Sequence, residues 1–394
     1  MHKYNVISLF SGAMGLDLGL KEAGLNICVS QDFDPWCYKT AVVNNQTCIP
    51  GDIRKLIKKD PSCRFLLEAA GLKKKDEIFA IVGGPPCQSF STAGKRLSIN
   101  DSRGSLFMEF SYVIDKLRPR FFIMENVKGL VSAAISHRPI SERKNGKKLS
   151  DDEMPGSAFK IILEKFENLR YKVKFDILDA VHYGVPQFRE RLVIIGSRDS
   201  EDIFLPVPTH FQFHQEPNYR WQTLRSVIED LEDNPGPCTK FSRERLWYLY
   251  LIPQGGNWRN LPEGLVQKAM GGAYHSDGGK VGFYRRLHYD QPSPTLVTSP
   301  IQKATTFCHP TKNRPLSVRE YMRIQQFPDK WAIMGNLSDC YRQIGNAVPV
   351  GLGRAIGLAL RAVAEGTANI QTKRLRGTSV HNKILHVQNK MAAI

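Results

Sequence analysis

Short apolar runs alternate with stretches of helical period over the first half of the chain. Strand-like runs fall at residues 4–10, 26–31, 78–82, 121–124, 172–177 and 192–196, each apolar and partly β-branched or aromatic. Strands separated by helices predict an α/β fold on a parallel sheet, from residue 1 to about 198. The polar stretch between Val131 and Ser157 reads as a surface loop. After Ser197 the periodicity fades. Residues 203–299 are rich in Pro, Gly, Trp, Tyr and Arg and predict a smaller, loop-rich domain. Helical period returns over Leu316–Gln326, which Pro328 ends, and over Gly345–Ala364, where Leu352, Ile356, Leu358, Leu360 and Val363 recur. Past Glu365 there are lysines and arginines but no acidic residue, as in a weakly ordered basic arm. The resulting division is a first domain at 1–198, a second at 199–310, a helical connection at 311–335, a return to the first domain at 336–365, and a tail at 366–394.

Charge changes this picture. Lysines and arginines outnumber acidic residues by 55 to 38, a formal net charge of +17. That suits a polyanion such as nucleic acid, and equally a merely basic surface. No uncharged apolar run reaches about 18 residues, so no membrane span is expected. The strand-like start at residue 4 leaves no room for a signal peptide, so the expected location is the cytoplasm. The eight cysteines lack C-x-x-C pairs and zinc-like spacing. Reduced thiols and no metal are therefore expected.

Chemistry concentrates at strand ends. Pro85-Pro86-Cys87-Gln88 follows the run at 78–82, and prolines there stop the strand and stiffen the turn that presents the thiol. Glu125-Asn126-Val127 ends the run at 121–124. A thiol and a carboxyl at neighbouring strand ends suit covalent catalysis, one attacking and the other handling a proton. At the first strand end, Phe10-Ser11-Gly12-Ala13-Met14-Gly15-Leu16 opens a helix, and the next strand ends in Asp32-Phe33. An acid about 20 residues past a glycine loop suits ribose hydroxyls. Phe33 suits an adenine ring, and Asp52, with Ile53 beside it, suits an adenine amino group. An adenosine-containing cofactor follows, without the Gly-x-Gly-x-x-Gly of dinucleotide sites.

In this order the motifs resemble those of the cytosine carbon-5 DNA methyltransferases of prokaryotic restriction-modification systems. The blocks are 10–16, 85–88, 125–127, Gln187-Phe188-Arg189-Glu190-Arg191, Arg314-Pro315-Leu316-Ser317-Val318-Arg319-Glu320 and Gln343-Ile344-Gly345-Asn346-Ala347-Val348-Pro349. Met14 departs from the family's usual glycine, which a negative φ would tolerate. The resemblance implies a Rossmann-like S-adenosylmethionine-dependent domain with a target-recognition domain, acting as a monomer on a flipped-out cytosine in double-stranded DNA. It also implies a nucleoid location and a cognate restriction endonuclease.

By the same resemblance Cys87 adds to the ring, Glu125 serves ring nitrogen 3, Arg191 binds the carbonyl, and Gln187 and Arg189 organise the site. Phe10, Ser11, Gly12, Gly15, Leu16, Asp32, Phe33, Asp52, Ile53, Pro86, Leu106, Asn346 and Val348 hold the cofactor. Ser91, Arg103 and Thr295 touch the DNA strand, and Arg285 and Arg286 suit guanine edges. Two alternatives stay open: an RNA methyltransferase of the same fold, and a non-catalytic DNA-binding relative. Retention of both Cys87 and Glu125 speaks against the second.

Overall fold

The computed structural model describes residues 4–73, 77–86, 106–136, 138, 148–276 and 280–367. Seven strands form one sheet: β1 Asn5–Leu9, β2 Asn26–Asp32, β3 Cys48–Pro50, β4 Ala80–Gly83, β5 Phe121–Val127, β6 Lys172–Asp179 and β7 Glu190–Ser197. Their order is β3-β2-β1-β4-β5-β7-β6. The six predicted strands are present. The three-residue β3 was not expected, because Cys48-Ile49-Pro50 is too short to show a period. The expectation of a parallel sheet needs one correction: β7 runs antiparallel to both β5 and β6. Only Ala180–Arg189 separates β6 from β7, too little chain for the crossover a parallel pair requires.

Both faces of the sheet are covered, which is why its central strands read as unbroken apolar runs. Ile7, Leu9, Ile81, Phe122 and Met124 pack on one side with Phe110 and Val113 of α2 (Leu106–Leu117) and Ile162 and Phe166 of α3 (Ser157–Asn168). Val6, Val82, Phe121 and Ile123 pack on the other with Leu16 and Leu20 of α1 (Gly15–Glu22) and the last helix. A separate small core gathers Phe241, Tyr248, Leu249, Ile252, Leu261 and Cys308.

The helix at Leu316–Gln326 is α4, Val318–Ile324. Ser317 and Glu320 cap it reciprocally, and Arg314 holds Glu320 through two bonds of 2.8 Å. The order Arg-Pro-Leu-Ser-Val-Arg-Glu is thus a helix cap with its own buried counter-ion. The run expected as one helix over 345–364 is two, α5 Leu337–Asn346 and α6 Val350–Ala364. Pro349 forces the residue before it out of the helical region, and Ala347 is already extended. Together α5 and α6 are apolar and long enough to cross a membrane, but most of that window is buried inside the molecule.

One expectation for the first loop is corrected. Met14 adopts φ 68 and ψ 26, a left-handed conformation rather than the negative φ that would excuse its side chain. The cost of about 1–2 kcal/mol is offset by packing, since Met14 is 1% exposed among Leu316, Tyr341 and Ile344. Gly15 has a packing reason to lack a side chain. The Val348 carbonyl occupies the space its Cβ would need, as the Val350 carbonyl does at Gly19. These contacts let α1 lie directly on the start of α6.

Beneath the loop, Ser8 Oγ donates to Asp17 Oδ1 at 2.6 Å, while Asp17 Oδ2 is buried without a hydrogen-bond partner among the described residues. Burial pushes the Asp17 carboxyl up from 3.8 to about 6. The folded state therefore prefers the neutral acid. This stabilisation is complete below the unfolded-state value and is lost as pH rises through about 6. Asp17→Asn should stabilise the fold by about 1–3 kcal/mol at pH 8 and leave it unchanged at pH 4. Urea unfolding at the two pH values measures this; equal effects at both would refute the assignment.

Candidate active site

The carboxyl ends of β1, β4 and β5 and the amino end of β7 share one edge of the sheet. Arg191 faces Val127 across the β5–β7 ladder, and its Nε lies 2.8 Å from Glu125 Oε1. Both side chains are nearly covered, at 13% and 12% exposure. Burial raises the Glu125 pKa, and the guanidiniums of Arg191 and Arg189 pull it back only in part. A carboxyl held toward its neutral form can give a proton.

The other oxygen, Glu125 Oε2, faces the turn that follows β4. A Cβ built on Gly84 would sit 2.9 Å from it, so only glycine lets the carboxyl approach that turn. Asn126 fixes the turn from the same strand end, donating from Nδ2 to the Pro85 carbonyl at 3.0 Å. That role for Asn126 was not read from the sequence, although its place in the Glu-Asn-Val block was a signal. Cys87, Ser91 and Arg103 lie outside the described residues. Pro86 is half-buried at the end of the described turn, and Leu106 opens α2.

The segment before β7 is a clasp. Gln187 is fully buried; its Oε1 accepts from Leu296 N at 2.9 Å and its Nε2 donates to Gln325 Oε1 at 3.1 Å. Arg189, 1% exposed, donates to Leu296 O at 3.0 Å and to Gly345 O at 2.8 Å. These two residues tie Leu296 to Gln325, just past α4, and to Gly345 near the end of α5. Thr295 is exposed there, its Oγ1 donating to Phe188 O at 2.7 Å.

At the other end of the edge, Asp32 Oδ2 accepts from Gly12 N at 2.7 Å and Oδ1 from Asp34 N at 2.9 Å. Gly12 has φ 55 and open space where a Cβ would lie, and Phe33 is 64% exposed beside it. Phe10 and Ser11 complete the turn, with Ser11 N on Gln31 O. Asp52 caps the helix at Ile53–Lys59 and is gripped by Arg54 through Nε and Nη2. Ile53 and Leu16 are core residues, whereas Asn346 is exposed and Val348 is buried beside Gly15. An open glycine turn, an acid fixed by two backbone amides and an exposed aromatic ring fit an adenosine group.

The structure corrects the assignment of Arg286 to guanine edges. Its Nε donates to Ile252 O, its Nη1 to His309 O and Lys312 O, and its Nη2 to Leu249 O and Asn313 Oδ1. All five donors of the guanidinium are thereby used inside the small core. Arg285 is half-buried: its Nε donates to Thr306 O, its guanidinium lies on the Phe307 ring, and burial brings its pKa down to about 10. The spacing of Arg286 among aromatic residues suits groove reading, but the same spacing serves a scaffold.

A buried carboxyl–arginine pair beside a Pro-Pro turn, at the edge of a seven-stranded α/β sheet, is the arrangement of a base-modifying methyltransferase. Residues 4–362 match the family model of the C-5 cytosine-specific DNA methylases. The chain belongs to that family, and it is a DNA cytosine-5 methyltransferase. It is 39% identical to the type II methyltransferase M.Sau96I of Staphylococcus aureus, over 91% of this chain and 75% of the relative. It is 36% identical to the type II methyltransferase M.PspPI of Psychrobacter sp., over 91% and 79%. A crystal structure from E. coli, described as a prophage-encoded DNA modification methyltransferase, superposes with a TM-score of 0.59 at 24% identity. It covers 92% of this chain and 100% of that one, and the likeness extends to the fold.

Proposed function

We propose that the chain methylates carbon 5 of a flipped-out cytosine within a short site in duplex DNA, using S-adenosylmethionine and Cys87 as nucleophile. The observation that carries this reading is the Glu125–Arg191 pair, with Glu125 Oε2 turned to the Gly84-Pro85-Pro86 turn that leads into Cys87.

Carbon 5 of cytosine is a poor nucleophile. Addition of the Cys87 thiolate to carbon 6, with a proton passing from Glu125 Oε2 to ring nitrogen 3, makes it an enamine carbon. Arg191 holds Glu125 Oε1, which leaves Oε2 to carry the proton, and its remaining donors suit the cytosine carbonyl. S-adenosylmethionine, when bound, supplies an electrophilic methyl group. Loss of the carbon-5 proton to water then expels the Cys87 thiolate, and the nitrogen-3 proton returns to Glu125, which restores the ring. Asp32, Phe33 and the Gly12 turn would hold the cofactor's ribose and adenine, and Asp52 would take the amino group once Arg54 turns aside.

A base stacked in a duplex is beyond reach of this edge, so the target must be extruded. We assign the division at 199–310 to target recognition and the chain to a monomer working beside a cognate endonuclease; the type II naming of its relatives supports that setting. Bisulfite sequencing of DNA from cells expressing the chain tests the activity directly. Conversion-resistant cytosines at one short sequence are expected, and methylation of RNA alone would favour the other reading.

The two carboxylates separate by experiment. Asp32→Ala should weaken S-adenosylmethionine binding by about 1–3 kcal/mol, the loss of charged hydrogen bonds. Glu125→Gln should spare that binding and lower the rate by about 10²–10⁴-fold, the range for a lost general acid. Calorimetry showing the reverse would overturn the placement.

A further inference from the structure

One buried carboxyl has no part in the methyl transfer. Glu109 stands in the first turn of α2, and its Oε2 is buried without a hydrogen-bond partner among the described residues. An acceptor left in that state is costly to the fold. Burial raises the Glu109 pKa, the Arg54 charge pulls it down, and the Asp52 charge pushes it up. The two residues that grip each other at the candidate adenine site are therefore the charges that Glu109 feels.

Packing brings the three together. Ile53, which opens the helix at Ile53–Lys59, shares a core with Phe107, Phe110 and Val113 of α2. Tyr112 Oη donates to the Pro61 carbonyl at 3.0 Å, just past the end of that helix. Glu109 and Tyr112 are three residues apart and so lie on one side of α2, with Leu106 a further three residues back. The Arg54–Asp52 grip itself is a surface one. Arg54 Nε lies 3.0 Å from Asp52 Oδ1 and Nη2 lies 2.6 Å from Oδ2, with 45% of the arginine side chain exposed. Exposed pairs of this kind hold weakly. Asp52 has a second anchor, since its Oδ1 also accepts from Arg54 N at 3.0 Å. Its carboxylate therefore keeps its place when the guanidinium leaves.

We propose that Glu109 is a positioning residue for the adenine amino group: it receives the Arg54 guanidinium as the amino group arrives, and so frees the Asp52 carboxylate to accept from that group. The exchange leaves no carboxyl short of a donor. Asp52 trades a guanidinium N–H for an amino N–H, and the buried Glu109 oxygen gains the donor it lacks. Arginine suits the exchange because its guanidinium stays charged and offers several donors in one plane. The inference rests on the reading of this pocket as an adenosine site.

Calorimetry on the full-length protein reads the exchange, with S-adenosylhomocysteine and with S-inosylhomocysteine, in which an oxo group replaces the amino group. Wild-type protein should prefer the amino form. Glu109→Gln keeps the size of the side chain but not its charge, so Arg54 should stay on Asp52. The preference should then fall by about tenfold, the least that a hydrogen bond to a charged group contributes. Arg54→Ala removes the grip that must be broken. Its preference should lie within about threefold of wild type, and adding Glu109→Gln to it should change nothing further, the mark of two residues acting through one contact. A Glu109→Gln variant that keeps the wild-type preference, that loses affinity for both ligands alike, or whose loss persists without Arg54 overturns the proposal. Wild-type protein that binds neither ligand, or both equally, would instead defeat the adenosine site and the exchange with it.

Discussion

Cys87→Ser should abolish methyl transfer, lowering the rate by roughly 10³-fold or more, as loss of a nucleophile does in covalent catalysis. A serine hydroxyl keeps the shape of the side chain but is far from ionised at neutral pH, whereas a thiol has a pKa of about 8.5 and attacks as thiolate. The strand and turn before it, Ala80–Gly83 and Pro85-Pro86, are held by the sheet and by Asn126, so they should survive the change. DNA binding should remain within about threefold, since hydrogen bonds to the phosphate backbone carry most of it. A duplex bearing 5-fluorocytosine at the target should trap wild-type protein as an adduct stable in denaturant, because fluorine cannot leave as a proton. The serine variant should give no adduct. Appreciable turnover by Cys87→Ser would end the covalent mechanism.

Arg286→Ala should destabilise the chain by about 3 kcal/mol or more and leave the methylated sequence unchanged. The guanidinium satisfies four backbone carbonyls and the Asn313 amide oxygen from inside the small core. Truncation strips all five acceptors of their donor and opens a cavity among Leu249, Ile252 and Cys308, each at most 3% exposed. Lysine should not rescue it, because three donors on a flexible stem cannot serve a planar array of five acceptors. The midpoint of urea unfolding reads the stability, and bisulfite sequencing at low temperature reads the target. A variant of wild-type stability with relaxed sequence preference would return Arg286 to the groove.

Arg286 also marks the limit of what the sequence could say. Bidentate arginines among aromatic residues serve a DNA groove or a loop-rich core equally well, and only the three-dimensional neighbours separate the two. The same limit explains Gly15 and Met14. A glycine at a βα turn reads as ligand approach, and the sequence holds no sign that the Val348 carbonyl, from the far end of the chain, also requires it. Met14 is kept in a left-handed conformation by a cluster whose other members are Leu316, Tyr341 and Ile344.

What the sequence determined by itself was local or ordered along the chain. Buried strands had to be short apolar runs, because both faces of the sheet are covered. The Pro-Pro turn had to follow one of them, and Glu125 had to end the next. The order of the motif blocks identified the chemistry before any contact was known. The tertiary structure decided everything that depends on partners distant in sequence. It reversed β7, since the short link from β6 allows only an antiparallel return. It broke the last helix at Pro349, divided Glu125 into one oxygen for Arg191 and one for the turn, and brought Phe188, Trp221 and Thr295 together. Periodicity reports which side of an element is buried; which residue is buried against it depends on the packing of the whole chain.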